Sequence, residues 1–212
     1  MQHLSLPDGP IQLVCLAAHP DDIEIAAGGT LLALAERGAL EGRWLTLTGS
    51  PERRAEAESA AEAFLPNSHS SFHAFPDGRL PAYWNEVKDI LHALAAELPE
   101  VDVVLAPRVD DAHQDHRLLG KMAPTVWRDA LVLHYEIPKW DGDLGRSNCY
   151  VPVSAELARR KVELLNKHYP SQQIRDWWDD ETFISLMRIR GMECRSRYAE
   201  AFQVSKAVLS VR

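Results

Sequence analysis

His19-Pro20-Asp21-Asp22 and His113-Gln114-Asp115-His116 are two places where this chain sets imidazoles and carboxylates close together. In each quartet the first and last residues are three positions apart, so one helical turn can aim both side chains the same way. Two imidazoles and a carboxylate make an open site for a divalent metal, with a fourth position left for water. His19, Asp22 and His116 supply such a set, and Asp21 and His113 stand beside it as an acid–base pair. A carboxylate next to an activated water can accept its proton, and an imidazole opposite can polarise a carbonyl or steady an oxyanion. Spacing alone leaves open which of the adjacent aspartates is ligand and which is base. It also leaves a plainer reading, in which Asp21 or Asp22 caps a helix and Asp110, Asp111 and Asp115 are solvated loop residues.

For the quartets to meet, the elements before them must be neighbours. Each follows a short apolar run, Ile11–Ala18 in one case and Val101–Ala106 in the other, as expected of strands covered on both faces. Further strands are expected at Arg43–Thr48, Ser71–Phe75, Leu131–Glu136 and Phe202–Leu209. Helices are expected after Gly28-Gly29-Thr30 as far as Gly38, from Pro51 through Phe64, and over Tyr83–Leu98. Others follow the second quartet to about Ala130 and cover Ala155–Lys167 and about Glu181–Met192. Strands alternating with helices imply an α/β fold: a single Rossmann-like domain over residues 1–212 with a mostly parallel sheet and helices on both faces. The expected strand order is 3-2-1-4-5 plus C-terminal strands. In that order the loops after the first and fourth strands flank the crevice where strand order reverses, which is where such sheets bind ligands.

Composition narrows the function classes. The 212 residues are 46% hydrophobic and 25% charged, ordinary for one globular enzyme domain. A formal charge of −8 with no basic stripe argues against nucleic acid as a partner. No apolar stretch approaches a bilayer span, and nothing resembles a signal peptide. Cys15, Cys149 and Cys194 show no CxxC pairing and read as reduced thiols, so the expected location is cytoplasmic. Dinucleotide binding fits poorly, because the strand end carries His-Pro-Asp-Asp where a glycine fingerprint would cradle a pyrophosphate. Gly28 and Gly29 are better read as allowing close packing of the helix on the sheet.

The stretch from Ala18 to Leu31, AHPDDIEIAAGGTL, joined to His113-Gln-Asp-His116, resembles the PIG-L/LmbE-like family of N-acetylglucosaminyl deacetylases. Supporting segments are Arg53-x-x-Glu56-Ala57, Asp77-Gly78-x-Leu80, Tyr135-Glu136, His168-x-x-Ser171-Gln172 and Tyr198-Ala-Glu-Ala-Phe202. The resemblance implies that His19, Asp22 and His116 hold a divalent metal, normally Zn2+, with another such as Fe2+ as the alternative. It implies that Asp21 is the general base, that His113 stabilises the oxyanion, and that Asp115 orients that imidazole. Ile23, where many members have Glu, and Ala26-Ala27, in place of a more usual Gly-Cys, depart from the pattern without touching a proposed ligand.

The reaction so implied is hydrolysis of the N-acetyl amide of an N-acetylglucosamine-type sugar in a small glycoside, glycolipid precursor or nucleotide sugar. The alternatives are an amidase acting on a larger acyl or thiol conjugate, and a catalytically inactive sugar-binding module. The expected partner is a small N-acetylated sugar, with room left for a homo-oligomer. Arg53, Glu136, Gln172 and Trp140 are candidate substrate-binding residues, Arg53 being equally readable as a partner of Glu56 on an exposed helix. Trp177 and Trp178 are read either as sugar-stacking or as packing aromatics.

Overall fold

A computed structural model describes residues 2–38, 40–98 and 100–208. The first apolar run forms β1 (Ile11–Ala17), buried on both faces and therefore free of polar alternation. β2 (Leu40–Thr48) and β3 (His69–Phe75) extend the sheet on one side of it. β4 (Val103–Pro107) and β5 (Leu131–Tyr135) extend it on the other, and all five strands are parallel. β6 (Cys149–Val153) and β7 (Tyr198–Gln203) complete it in the order 3-2-1-4-5-7-6, with β7 antiparallel to both neighbours.

Six helices cover the sheet: α1 (Asp22–Arg37), α2 (Pro51–Phe64), α3 (Trp84–Glu97), α4 (Gln114–Val126), α5 (Ala155–His168) and α6 (Asp180–Cys194). One core lies under α1, α2, α5 and α6, around Ile23, Leu31, Phe64, Tyr169 and Phe202. A second lies under α3 and α4, around Leu16, Leu47, Val87 and Leu119. No helix among the described residues is long and apolar enough to cross a membrane.

The expected α/β class, the parallel order 3-2-1-4-5 and the added C-terminal strands are all observed. Three details differ. α1 begins at Asp22, so Gly28 and Gly29 lie inside it rather than ahead of it. A Cβ on Gly28 would come within 2.7 Å of the Phe64 ring, and one on Gly29 within 3.0 Å of the Val153 methyls. Helix α1 therefore packs so closely on α2 and β6 that a Cβ at Gly28 would displace the Phe64 ring and one at Gly29 would crowd Val153. Second, β6 was not expected; it carries Pro152 at the sheet edge, the place where proline is tolerated. Third, the closing strand runs over Tyr198–Gln203 rather than Phe202–Leu209, and Leu209 itself lies outside the described residues.

The same close approach admits a buried ion pair. Glu200 on β7 accepts hydrogen bonds from the backbone N–H groups of Gly29 (2.8 Å) and Thr30 (2.6 Å). Lys161 on α5 lies 2.7 Å from Glu200 and donates to the Ile25 carbonyl at 2.6 Å. Helix α1, which begins at Asp22, is thus fixed to α5 and β7 through its own backbone.

Candidate metal centre and active site

Parallel pairing of β1 with β4 brings the loops after them together, and the quartets span the junctions of those loops with α1 and α4. The His19 Nδ1 and His116 Nε2 atoms are 3.0 Å apart. Asp22 Oδ1 lies 3.3 Å from His116 Nε2, and Asp22 Oδ2 lies 3.6 Å from His19 Nδ1. For a tetrahedral ion with bonds of ~2.0–2.1 Å, the edge between ligand atoms is ~3.3 Å. The pairwise separations, taken over the two oxygens of Asp22, are close to that edge, and two imidazoles with one carboxylate are a donor set suited to zinc or a similar divalent ion. Nitrogens of His19, His113 and His116 also come within 4.8 Å of one another, as do donor atoms of His19, Asp77 and Asp115. His19 and His116 are shared between these groups and the contacts with Asp22, so the centre is crowded with donors around those two rings.

Each imidazole turns its other nitrogen toward carboxylate. His116 Nδ1 is 3.2 Å from Asp111 Oδ1, and Asp111 in turn is 3.1 Å from Lys139 Nζ. His19 Nε2 is 3.1 Å from Asp77 and 3.4 Å from Asp115. Such outer carboxylates fix ring orientation and raise the basicity of the nitrogen aimed at the centre. Burial opposes charge on His116, but Asp22 and Asp111 push it up to about 9. Burial likewise opposes ionisation of Asp22, yet the His116 and His19 rings hold its carboxyl well below the usual range.

Asp21 stands apart from this set. It ends β1's loop in the left-handed region, φ 96°, an uncommon conformation for a residue with a side chain. Its buried carboxylate accepts a hydrogen bond from Arg53 Nη2 at 2.8 Å, and the same Nη2 donates to the Pro20 carbonyl at 2.6 Å. Burial pushes the Asp21 carboxyl up to about 7, against the pull of Arg53. His113 is half-buried and lines the same cavity. Burial, then the charges of His19 and His116, push its imidazole below the ordinary value. Its Nδ1 accepts the Asp115 backbone N–H at 3.3 Å, so the neutral ring carries its proton on Nε2.

Asp115 is engaged differently from the expectation that it orients the His113 ring. Its two oxygens accept the Gly78 N–H (2.8 Å) and the Leu80 N–H (3.0 Å), and its side chain faces His19. Its carboxylate anchors the Asp77–Leu80 turn, and only its backbone reaches His113.

The candidate substrate-binding residues divide. Arg53, Gln172 and Trp140 line a cavity of about 210 Å³ with His19, Asp21, Asp22, His113 and His116. Arg53 pairs with Asp21, not Glu56; Glu56 instead accepts the backbone N–H (2.8 Å) and hydroxyl (2.5 Å) of Ser171, next to Gln172. The Arg53-x-x-Glu56 spacing thus ties α2 to both sides of the cavity. Glu136 does not reach it. Its carboxylate is buried and bidentate with Arg190, both bonds at 2.6 Å, because it sits at the end of β5 against α6. Trp178 is buried against Tyr169 and Phe183, a packing residue, whereas Trp140 and Trp177 stand at the cavity.

Four neighbours of the centre were not singled out from sequence: Asp77, Asp111, Lys139 and Arg175. Asp77 was visible as part of an Asp-Gly turn, and Asp111 as one of two loop aspartates expected to be solvated. Only Asp110 is solvated, paired with Arg108 at 2.7 Å; Asp111 is 2% exposed and serves His116. Lys139 and Arg175 fall in the region Lys139–Asp180 expected to wall the pocket, but neither was singled out, since their positions depend on how the loop after β5 and the turn after α5 fold over the site.

The family model described as GlcNAc-PI de-N-acetylase, PIG-L, matches residues 14–127, the span that carries both quartets. A curated relative, the uncharacterized deacetylase YaiS of Escherichia coli, is 26% identical over 169 residues, covering 74% of this chain and 89% of its own. Among solved structures, the conserved protein TT1542 of Thermus thermophilus superposes with a TM-score of 0.73 at 25% identity, over 95% of this chain and 97% of that one. The N,N'-diacetylchitobiose deacetylase of Pyrococcus horikoshii superposes with a TM-score of 0.70 at 22% identity, over 91% and 83%, a likeness of fold.

Proposed function

Since this chain belongs to the GlcNAc-PI de-N-acetylase (PIG-L) family, we propose that it is a metal-dependent N-deacetylase that hydrolyses the N-acetyl amide of an N-acetylglucosamine-type sugar. The observation that carries the reading is the convergence of the His19, Asp22 and His116 side chains within 3.0–3.6 Å of one another, with Asp21 and His113 on the wall of the same cavity. Zinc is the preferred ion for that donor set; when bound it supplies Lewis acidity and makes a water easier to deprotonate at neutral pH.

The remaining chemistry belongs to the side chains. Asp21 takes the proton of the attacking water; a carboxyl pushed up to about 7 is matched to that task near neutral pH. His113 donates its Nε2 proton as a hydrogen bond to the oxygen of the tetrahedral intermediate. Asp21 then returns its proton to the leaving nitrogen, giving acetate and a free amino sugar. Arg53 holds Asp21 in place, and Asp115 positions the turn and the His19 ring rather than touching the substrate.

The test is acetate release from N-acetylglucosamine and its glycosides, with the protein chelator-stripped and then reloaded with Zn2+ or Fe2+. We expect no turnover after stripping and recovery on reloading. Asp21→Asn should lower kcat by about 10²–10⁴-fold with metal still bound at one per chain. Full turnover by Asp21→Asn would remove it as the base, and metal-independent turnover would overturn the reading.

A further inference from the structure

The cavity over the centre is small and its mouth is unusual. At about 210 Å³ it falls below the ~300–1,000 Å³ typical of sites that enclose a drug-sized ligand. One acetamido sugar fills such a space, and whatever is attached to that sugar must leave across the rim. On the rim stands Trp140, 65% exposed.

An exposed tryptophan ordinarily has rotameric freedom, but this one is held from three directions. Its Nε1–H donates to Asp176 at 3.0 Å, and the Arg175 guanidinium carbon lies 5.7 Å from its ring centroid. Trp177 meets it edge-to-face, with centroids 6.2 Å apart. Arg175 has no carboxylate partner among the described residues, so its donors stay available. The result is a fixed aromatic platform at the mouth, ringed by Asp141, Arg175 and Asp176.

We propose that Trp140 forms a second subsite, and that the group it takes is a further pyranose ring joined to the N-acetylated unit. This rests on the deacetylase reading above and names its substrate class: an oligosaccharide rather than a free monosaccharide. An aromatic face suits the C–H face of a pyranose, and the charged groups around it suit hydroxyls. An acyl chain would meet those same charges without satisfying them, so a lipid occupant is disfavoured. Holding Trp140 before substrate arrives lowers the ordering cost of binding there.

The experiment compares N-acetylglucosamine, N,N'-diacetylchitobiose and an octyl glycoside of N-acetylglucosamine, in wild type, Trp140→Ala and Trp140→Phe, with folding checked by circular dichroism. We expect wild type to favour the disaccharide. Trp140→Ala should lower kcat/KM for it by about five- to tenfold, mainly through KM, with Trp140→Phe retaining most of the preference. The loss on the monosaccharide should be at least about threefold smaller, since a single ring in the cavity meets Trp140 only at its edge and lacks the stacked second ring. Equal losses on both sugars, no preference in wild type, or a preference for the octyl glycoside would overturn the proposal. If wild type releases acetate from none of them, deacetylation of these sugars is refuted. The subsite is then decided by calorimetric binding of the disaccharide, which Trp140→Ala must weaken by the same factor. Unchanged binding, or none by wild type, would reject it.

Discussion

Lys161→Met should destabilise this protein far more than a typical substitution, because it breaks a buried ion pair from one side. The Lys161 and Glu200 side chains are 3% and 2% exposed and 2.7 Å apart. Methionine keeps most of the apolar stem of Lys161 but removes the charge, leaving Glu200 with only the Gly29 and Thr30 N–H groups and freeing the Ile25 carbonyl. Removing one member of a buried pair costs about 3–5 kcal/mol. For a domain of this size each kcal/mol lowers Tm by about 2–4 °C, so the expected fall is about 6–20 °C. Thermal unfolding of the metal-free protein, followed by circular dichroism, reads it directly. Glu200→Gln in the same background should recover part of the loss, giving a coupling energy of about 0.5–3 kcal/mol in the double-mutant cycle. A fall below about 2 °C, or strict additivity, would refute the idea that this pair holds α1 in place.

Other outcomes follow from the same contacts. His116→Ala should abolish stoichiometric zinc binding in a chelator competition, while His113→Ala should keep it and lose turnover, because His116 and not His113 has a ring nitrogen against the Asp22 carboxylate. Glu136→Gln should lower Tm without raising KM, since the carboxylate is taken up by Arg190; a raised KM at unchanged stability would return Glu136 to the substrate. Burial pushes the Glu24 carboxyl up to about 8, against its hydrogen bond from Tyr169. Folding therefore takes up a proton between the ordinary glutamate range and about pH 8, and stability of the metal-free protein should fall as pH rises through that window. Glu24→Gln should flatten that decline in chemical denaturation measured from pH 5 to 9, and an unaltered slope would count against a protonated Glu24.

The sequence by itself determined the frame. Apolar runs alternating with amphipathic segments imply a parallel sheet covered on both faces, and the usual doubly wound order 3-2-1-4-5 puts the ends of β1 and β4 side by side. In that order His19-Pro-Asp-Asp22 and His113-Gln-Asp-His116 meet, because the first follows β1 almost directly and the second follows β4 after a short loop. Arg53, Gln172 and Trp140 were legible as residues near the site, though not as what they touch. What only tertiary structure decided was how each charged group is partnered. Glu136 and Asp111 look alike in sequence, acidic residues just beyond a strand, yet one is claimed by Arg190 on α6 and the other by His116 and Lys139. Asp115 could have faced His113 or the Asp77–Leu80 turn, and two backbone N–H groups at hydrogen-bonding distance drew it to the turn. The reason is physical: hydrophobic periodicity is written locally and sets where elements lie. A buried charge takes whichever partner the packing of distant segments brings within about 3 Å, and no local pattern encodes that choice.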